Sequence, residues 1–356
     1  MNNNGQRGQK TIDQNNALKE LSFFDAASHL LSDLPERSQE ILAKRFGLSG
    51  EKPQTLEKIG RDYRITRERV RQIISDALRR ISGKQSDEKF KAAEEKIIFT
   101  IHENDGIIKE QEILEKLGGK DKKEINSIKF FSAISDRVII EEIEKIIEKS
   151  WMVSKEIMEK AQELSALSEE ILQIEKNLLV DDEIIEKISS KKSELTKKQI
   201  ASFLKVFSKI KKNKFEKWGL AHWPEINPKG TKERIHLVLK ENEKPLHFSE
   251  IAQLIDKHNL SKRKAHPQTV HNELIKDDRF VLIGRGIYAL KEWGYKQGTI
   301  KDVLKDILAK SGKPMTKDEI MSEVMKIRKV KKATVLINLN NENSFVKINN
   351  TYALKK

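Results

Sequence analysis

A chain of 356 residues is long enough for two or three ordinary domains, and its 69 Lys and Arg against 55 Asp and Glu give a formal net charge of +14. That excess favours a nucleic acid partner, double-stranded DNA above all. The absence of cysteine excludes disulfides, thiolate zinc sites and a cysteine nucleophile; no apolar run reaches the length of a membrane span or signal peptide, so a cytoplasmic, nucleoid-associated protein is expected.

Residues 1–16 are polar and Asn/Gln-rich, the composition of a disordered segment. Apolar periodicity begins at Leu18, Leu21 and Phe24 and runs through Ala27, Leu30 and Leu31, predicting a helix that leads into a unit over residues 17–85. Within it, residues 55–81, TLEKIGRDYRITRERVRQIISDALRRI, hold two short amphipathic segments meeting at a polar break, the pattern of a helix-turn-helix. The first carries Thr55 as N-cap, Glu57 in its first turn, and Leu56, Ile59 and Gly60 on one face, the glycine leaving room for another helix. The second starts after Thr66 and places Val70, Ile73, Ile74, Ala77, Leu78 and Ile81 at the spacing of a buried stripe.

On the other face of that second segment, Arg67, Glu68, Arg71, Gln72 and Ser75 fall within about 140° of one another at roughly 100° per residue. Arg pairs with guanine, Gln with adenine and Glu with the cytosine amine, and a recognition helix presents such residues near its N-terminus. A solvated helix face has a similar composition. The paired helix and tight turn favour DNA recognition.

Residues 90–153 give three short helical patterns, at Ile97, Ile98 and Ile101, at Ile113, Leu114 and Leu117, and at Ile128, Phe131 and Ile134, followed by a strand-like Val138 to Ile140. This is the order of a degenerate winged helix, with Glu144, Lys145, Glu148 and Lys149 expected on a solvated helix face. Residues 154–228 read as a helical connector: a long helix over Ser154 to Leu179, then two charged helices. Its basic segment sets Lys205, Lys209, Lys211, Lys212, Lys214 and Lys217 beside Ile200, Phe203, Leu204 and Phe207, either a solvated face or a DNA contact. Trp218 and Trp223 read as packing anchors.

The last third repeats itself. Lys244-Pro245-Leu246, Glu250-Ile251, Thr269-Val270, Phe280-Val281 and Tyr288-Ala289-Leu290 recur in order as Lys313-Pro314-Met315, Glu319-Ile320, Thr334-Val335, Phe345-Val346 and Tyr352-Ala353-Leu354. Each copy reads helix, helix, helix, strand, turn, strand, with Gly284-Arg285-Gly286 and Asn349-Asn350 as hairpin turns, hence two tandem winged helices. In the first copy Ser261 to Leu274 is expected to supply the recognition helix. Lys262, Arg263, Lys264, His266, Gln268 and His271 are its candidate DNA contacts, with Arg285 on the wing.

Catalytic or cofactor chemistry is not expected. His247, His258, His266 and His271 lack a metal-ligand spacing, Asp181, Asp182, Glu186 and Lys187 sit in a helical stretch without the sheet a nuclease needs, and no P-loop or Ser/His/Asp pattern occurs.

LPERSQEILAKRFGL and the TRERVRQI string resemble region 4 of sigma-70-type RNA polymerase sigma factors, over residues 29 to 85. The resemblance implies recognition of the promoter −35 element and docking on the polymerase flap. It puts Arg67, Glu68 and Gln72 at base-contacting positions, Arg71 at a backbone contact, and Arg79 and Arg80 where region 4 meets phosphates or activators. By the same resemblance, nothing in the first 30 residues matches the aromatic-rich region that melts the −10 element, so the chain is not expected to open a promoter unaided.

KPLHFSEIAQLI with HPQTVHNELIKDDRFVLIGRGIYAL resembles the HARE-HTH module, a winged helix of restriction enzymes, chromatin proteins and the delta subunit of bacterial RNA polymerase, over 229–294. The copy at 298–356 departs from it, with asparagines in the hairpin turn and no histidines. The expected fold is therefore mainly α: a helix-turn-helix and tandem winged helices with small hairpin wings, joined by helical connectors. The expected function is a sigma-like transcription regulator binding DNA and RNA polymerase, with no small-molecule substrate. An architectural DNA-binding protein and the DNA-recognition subunit of a restriction system are the alternatives.

Overall fold

The computed structural model describes residues 21–83, 86–295, 299–327, 332–340 and 344–355, so the N-terminal segment read as disordered lies outside the described residues. The chain is mainly helical, with sixteen α-helices and small antiparallel sheets among those residues. It divides into two units, Met1–Lys211 and Lys212–Lys356.

The first unit opens with α1 (Phe23–Ser32), α2 (Glu36–Phe46), α3 (Leu56–Tyr63) and α4 (Arg67–Ser82). There follow α5 (Glu88–Glu103), β1 (Ile107–Lys109), α6 (Glu110–Gly118), α7 (Lys122–Ile134), β2 (Ile139–Ile143) and β3 (Ile147–Met152). One hydrophobic core runs through all of them, from Phe23, Leu30, Ile41 and Val70 to Ile97, Phe131 and Trp151. The expected boundary between residues 85 and 90 thus does not separate two cores.

The reason lies in α7, which buries Phe130 and Phe131 against the first four helices. The Phe131 ring stands 6.1 Å from those of Phe23 and Phe90, and Phe130 stands edge-on to Phe46 at 5.3 Å. The polar residues of α7 add long-range caps. Glu124 accepts hydrogen bonds from the Ser22 hydroxyl (2.7 Å) and the Phe23 and Phe24 N–H groups (2.8 and 3.3 Å), satisfying orphan donors at the start of α1. Asn126 donates its amide to the Gly47 and Glu51 carbonyls, 2.8 and 3.1 Å away, just past the end of α2.

In the sheet of this region β3 lies between β1 and β2, with Ile108 and Ile140 both opposite Trp151. Glu144 and Lys145 form the turn of the hairpin, Lys145 at φ 62°, and Glu148 and Lys149 lie on β3. These four residues are not on a helix. IIEEIEKII places apolar residues at 139, 140, 143, 146 and 147, which suits a helical stripe, and the pairing with β3 overrides that pattern.

Three helices complete the unit: α8 (Lys155–Glu175), α9 (Asp181–Lys191) and α10 (Lys197–Val206). Glu169, Glu170 and Glu175 of α8 pair with Lys209, Lys191 and Lys187. The division between the units falls inside β4 (Ile210–Lys212).

The second unit holds β5 (Trp218–Leu220), then α11 (Thr231–Asn242), β6 (Leu246–His247), α12 (Phe248–Lys257), α13 (Pro267–Lys276), β7 (Phe280–Gly284) and β8 (Ile287–Leu290). The second copy of the repeat follows as α14 (Ile300–Ser311), β9 (Met315–Thr316), α15 (Lys317–Ile327), α16 (Lys332–Leu339), β10 (Phe345–Ile348) and β11 (Thr351–Leu354). In both copies the last strand lies between the other two, Tyr288 opposite Leu246 and Tyr352 opposite Met315. Strands β6 and β9 are two residues each, too short to leave a period-two pattern. The order helix, short strand, two helices and hairpin is also that of residues 88–152, so one topology recurs three times among the described residues.

Candidate nucleic-acid interface

Helix α3 begins at Thr55, whose hydroxyl accepts from the Lys58 N–H (3.2 Å), and stops at Arg64, in the left-handed region at φ 52°. The tight turn needs Gly60: a Cβ there would stand 2.7 Å from the Ile65 carbonyl oxygen, and the Ile65 N–H donates to the Gly60 carbonyl at 2.9 Å. The glycine therefore admits the turn's own backbone, where the sequence suggested a neighbouring helix. Thr66 caps α4, accepting from the Arg69 N–H at 3.1 Å, and Val70, Ile74, Ala77 and Ile81 are buried while Ile73 and Leu78 are half-buried.

The opposite face is open. Arg67, Glu68, Arg71, Gln72, Ser75, Arg79 and Arg80 are all exposed. Arg71 grips Glu68 through two hydrogen bonds, from Nε (2.9 Å) and Nη2 (2.7 Å). Those bonds, with smaller help from the Gln72 amide and the charge of Arg67, hold the Glu68 carboxyl below the usual carboxylate range. Arg79 pairs with Asp76 one turn further on. Arg69, which lies outside the arc expected from the sequence, donates from Nη1 to the Gln72 carbonyl oxygen at 3.2 Å. Its signal in the sequence is the i, i+3 spacing of Arg69 and Gln72.

In the second unit the predicted helix start moves. Helix α13 begins at Pro267, because proline at the first helical position disfavours helical backbone in the residue before it. Lys262, Arg263 and Lys264 stand exposed in the turn ahead of it, shaped by hydrogen bonds from the Arg263 N–H to the Ser261 hydroxyl and from the Ala265 N–H to Asp256 (2.7 Å). His266 is the N-cap residue and Gln268 is exposed, its amide donating to Asn272 at 3.3 Å. Arg285 is exposed at the hairpin turn. His271 is half-buried, its ring 4.6 Å from Phe248 and 5.9 Å from Tyr288, so it packs between α12 and β8.

Most of the lysine run is neutralised from within. Lys209 meets Glu169, Lys211 meets Glu148, Lys212 meets Glu216 and Lys217 meets Glu241. No described helix is long and apolar enough to cross a membrane.

An exposed, capped recognition helix beside a tight turn, followed by helix-strand-helix-helix-hairpin units, defines the class: a helix-turn-helix protein of the DNA-binding type. Comparison with known families agrees. Residues 30–82 match the family described as Sigma-70, region 4, and residues 230–293 match HARE-HTH, the ASXL and restriction endonuclease HTH domain. The RNA polymerase sigma factor SigA of Clostridium acetobutylicum is 39% identical over 62 residues, which are 17% of this chain and 16% of that protein. The RNA polymerase sigma-C factor of Nostoc sp. is 47% identical over 53 residues, 15% of this chain and 13% of that protein. The similarity thus reaches one module, and the chain matches less than a fifth of the length of either relative.

Proposed function

We propose that the chain is a DNA-binding transcription regulator of sigma-factor type, in which α4 reads duplex DNA of the −35 kind and the same module brings the protein to RNA polymerase at its flap. The observation that carries this reading is the exposed arc of Arg67, Glu68, Arg71, Gln72 and Ser75 on a helix whose opposite stripe is buried, within a segment similar to sigma factors. The winged helix at 229–294 adds phosphate contacts through Lys262, Arg263, Lys264 and Arg285, with Gln268 toward a base edge. The module at 90–153 serves as a brace for the helix-turn-helix, and 154–228 as a connector. The protein acts in the cytoplasm on the nucleoid, without catalysis of its own.

Two measurements test this. Arg67→Ala or Gln72→Ala is expected to cost roughly 1–3 kcal/mol on a preferred duplex and little on random DNA. Capture of core RNA polymerase by the purified chain, abolished by excess flap fragment, is the second expected result. Sequence-selective binding without polymerase capture would leave a regulator independent of polymerase. Equal loss on all duplexes would leave an architectural DNA-binding protein.

A further inference from the structure

We infer that Arg69, which lies outside the DNA-reading arc of α4, is a specificity-positioning residue: it fixes the orientation of the Gln72 amide and so decides which base edge that amide can read. The inference rests on the reading of α4 proposed above and goes one residue beyond it.

At roughly 100° per residue, with Arg67 at the origin, Arg71, Ser75, Glu68 and Gln72 follow at about 40°, 80°, 100° and 140°, and Arg69 at about 200°. Arg69 therefore borders the arc on the Gln72 side, with the half-buried Ile73 beyond it. Its guanidinium donates to Oε1 of Gln72 at 3.2 Å, and the Gln72 amide in turn helps hold the Glu68 carboxylate, which Arg71 grips from the other side. The four side chains form one chain of donors and acceptors: Arg69 to Gln72, Gln72 to Glu68, Arg71 to Glu68.

A free glutamine amide presents its oxygen and its NH2 group with equal ease, because a half-turn exchanges them. Arg69 removes that freedom, since a guanidinium has only donors and can face only the oxygen. The amide is left with one lone pair on Oε1 and one N–H on Nε2 for a partner, the donor–acceptor pair that matches the N6 and N7 edge of adenine. Holding this orientation before binding reduces the ordering of the side chain that the complex would otherwise require.

The test uses the full chain and a duplex selected by it from a pool with a randomised centre. Binding is measured by fluorescence anisotropy for that duplex, for each of its single-base-pair variants and for an unrelated duplex, at two salt concentrations. Arg69 is exposed, so its replacement leaves the core untouched, and circular dichroism checks that the helices persist. Gln72→Ala is expected to flatten discrimination at one base pair. Arg69→Ala is expected to lower discrimination at that same base pair about five- to tenfold, with affinity for the unrelated duplex nearly unchanged. The double variant should lose no more than Gln72→Ala alone, and Arg69→Lys, which keeps a donor, should restore part of the loss.

A uniform weakening across all duplexes with Arg69→Ala, additive with Gln72→Ala and accompanied by a salt slope smaller by about one, makes Arg69 a plain phosphate ligand and overturns the inference alone. No change in discrimination with Gln72→Ala overturns the base-reading role of α4 together with it.

Discussion

Helices α7 and α13 occupy the same place in the same topology, each the third helix before a hairpin, and they face opposite ways chemically. Helix α7 buries Asn126, Ser127, Ile128, Phe130, Phe131, Ser132 and Ile134. Helix α13 buries only Val270 and Leu274, and leaves Gln268, Thr269, Asn272 and Ile275 exposed behind a turn of Lys262, Arg263 and Lys264. The difference is written in side chains rather than in fold. Two adjacent phenylalanines give α7 a second apolar face, which the helices carrying the DNA-reading segment cover. A winged-helix order of elements therefore says where a recognition helix would be, and only composition says whether it reads anything.

Breaking the inward packing should have the largest effect. Phe131→Ala removes a fully buried ring that touches both Phe23 and Phe90, and is expected to cost about 3–5 kcal/mol. Asn272→Ala on the outward helix should stay within about 0.5 kcal/mol. Chemical denaturation followed by the buried Trp151, which lies in the core that Phe131 helps fill, measures the first; a midpoint unchanged by Phe131→Ala would mean that α7 does not brace the module. Next in size is Asn126→Ala, which strips the Gly47 and Glu51 carbonyls of a shared donor in a mostly buried place. Its expected cost is roughly 1–3 kcal/mol.

Local features of this chain are legible in its sequence and distant ones are not. The Thr66 cap and the stripe from Val70 to Ile81 are fixed within a few residues of themselves, and the exposed arc of α4 follows from them. The partners of Glu124 and Asn126 lie about a hundred and nearly eighty residues away, and in sequence both look like ordinary polar residues of a helix. The two apolar repeats are legible because aligned copies multiply a weak signal. Their first strands are not, being two residues long. The hairpin at 139–152 reads as partly helical because its apolar spacing satisfies both periods, and strand pairing, a non-local interaction, settles it. The lysine run misleads for a similar reason: its partners, Glu169, Glu148 and Glu241 among them, come mostly from other elements.

Charge separates the two helices further. Replacing Lys262, Arg263 and Lys264 together by Ala should weaken binding to an unrelated duplex roughly tenfold and lower the salt slope by about 0.9 for each phosphate that is no longer neutralised. Replacing Lys122 and Lys123 at the start of α7 removes two positive charges as well, yet should leave the slope unchanged, since Lys123 lies over the Phe24 ring, 5.0 Å from its centre. Equal slopes for the two sets of variants would erase the functional difference drawn between the helices.

The smallest effect concerns how each helix ends. After α7 the turn is tied to α5: Glu94 accepts from the Ser135 hydroxyl at 2.6 Å and from Arg137 at 3.2 Å. After α13 the tie is local, Arg279 donating to both oxygens of Asp277 at 2.9 and 2.7 Å. Those hydrogen bonds pull the Asp277 carboxyl from 3.8 down to about 2. A depressed carboxylate adds stability that is complete above its unfolded value and disappears as pH falls through its folded one, so the contribution of Asp277 should be whole above about pH 4 and gone near pH 2. Because Arg279 is substantially exposed, solvent screening holds it to about 1 kcal/mol. Hydrogen exchange of peptides covering α13 should therefore accelerate between pH 4 and pH 2, after correction for the intrinsic pH dependence of exchange. Asp277→Asn should remove that extra step while leaving exchange in α7 as it was. If the step persists in the variant, the end of α13 is held by something other than this pair, and the contrast between a local and a long-range tie fails.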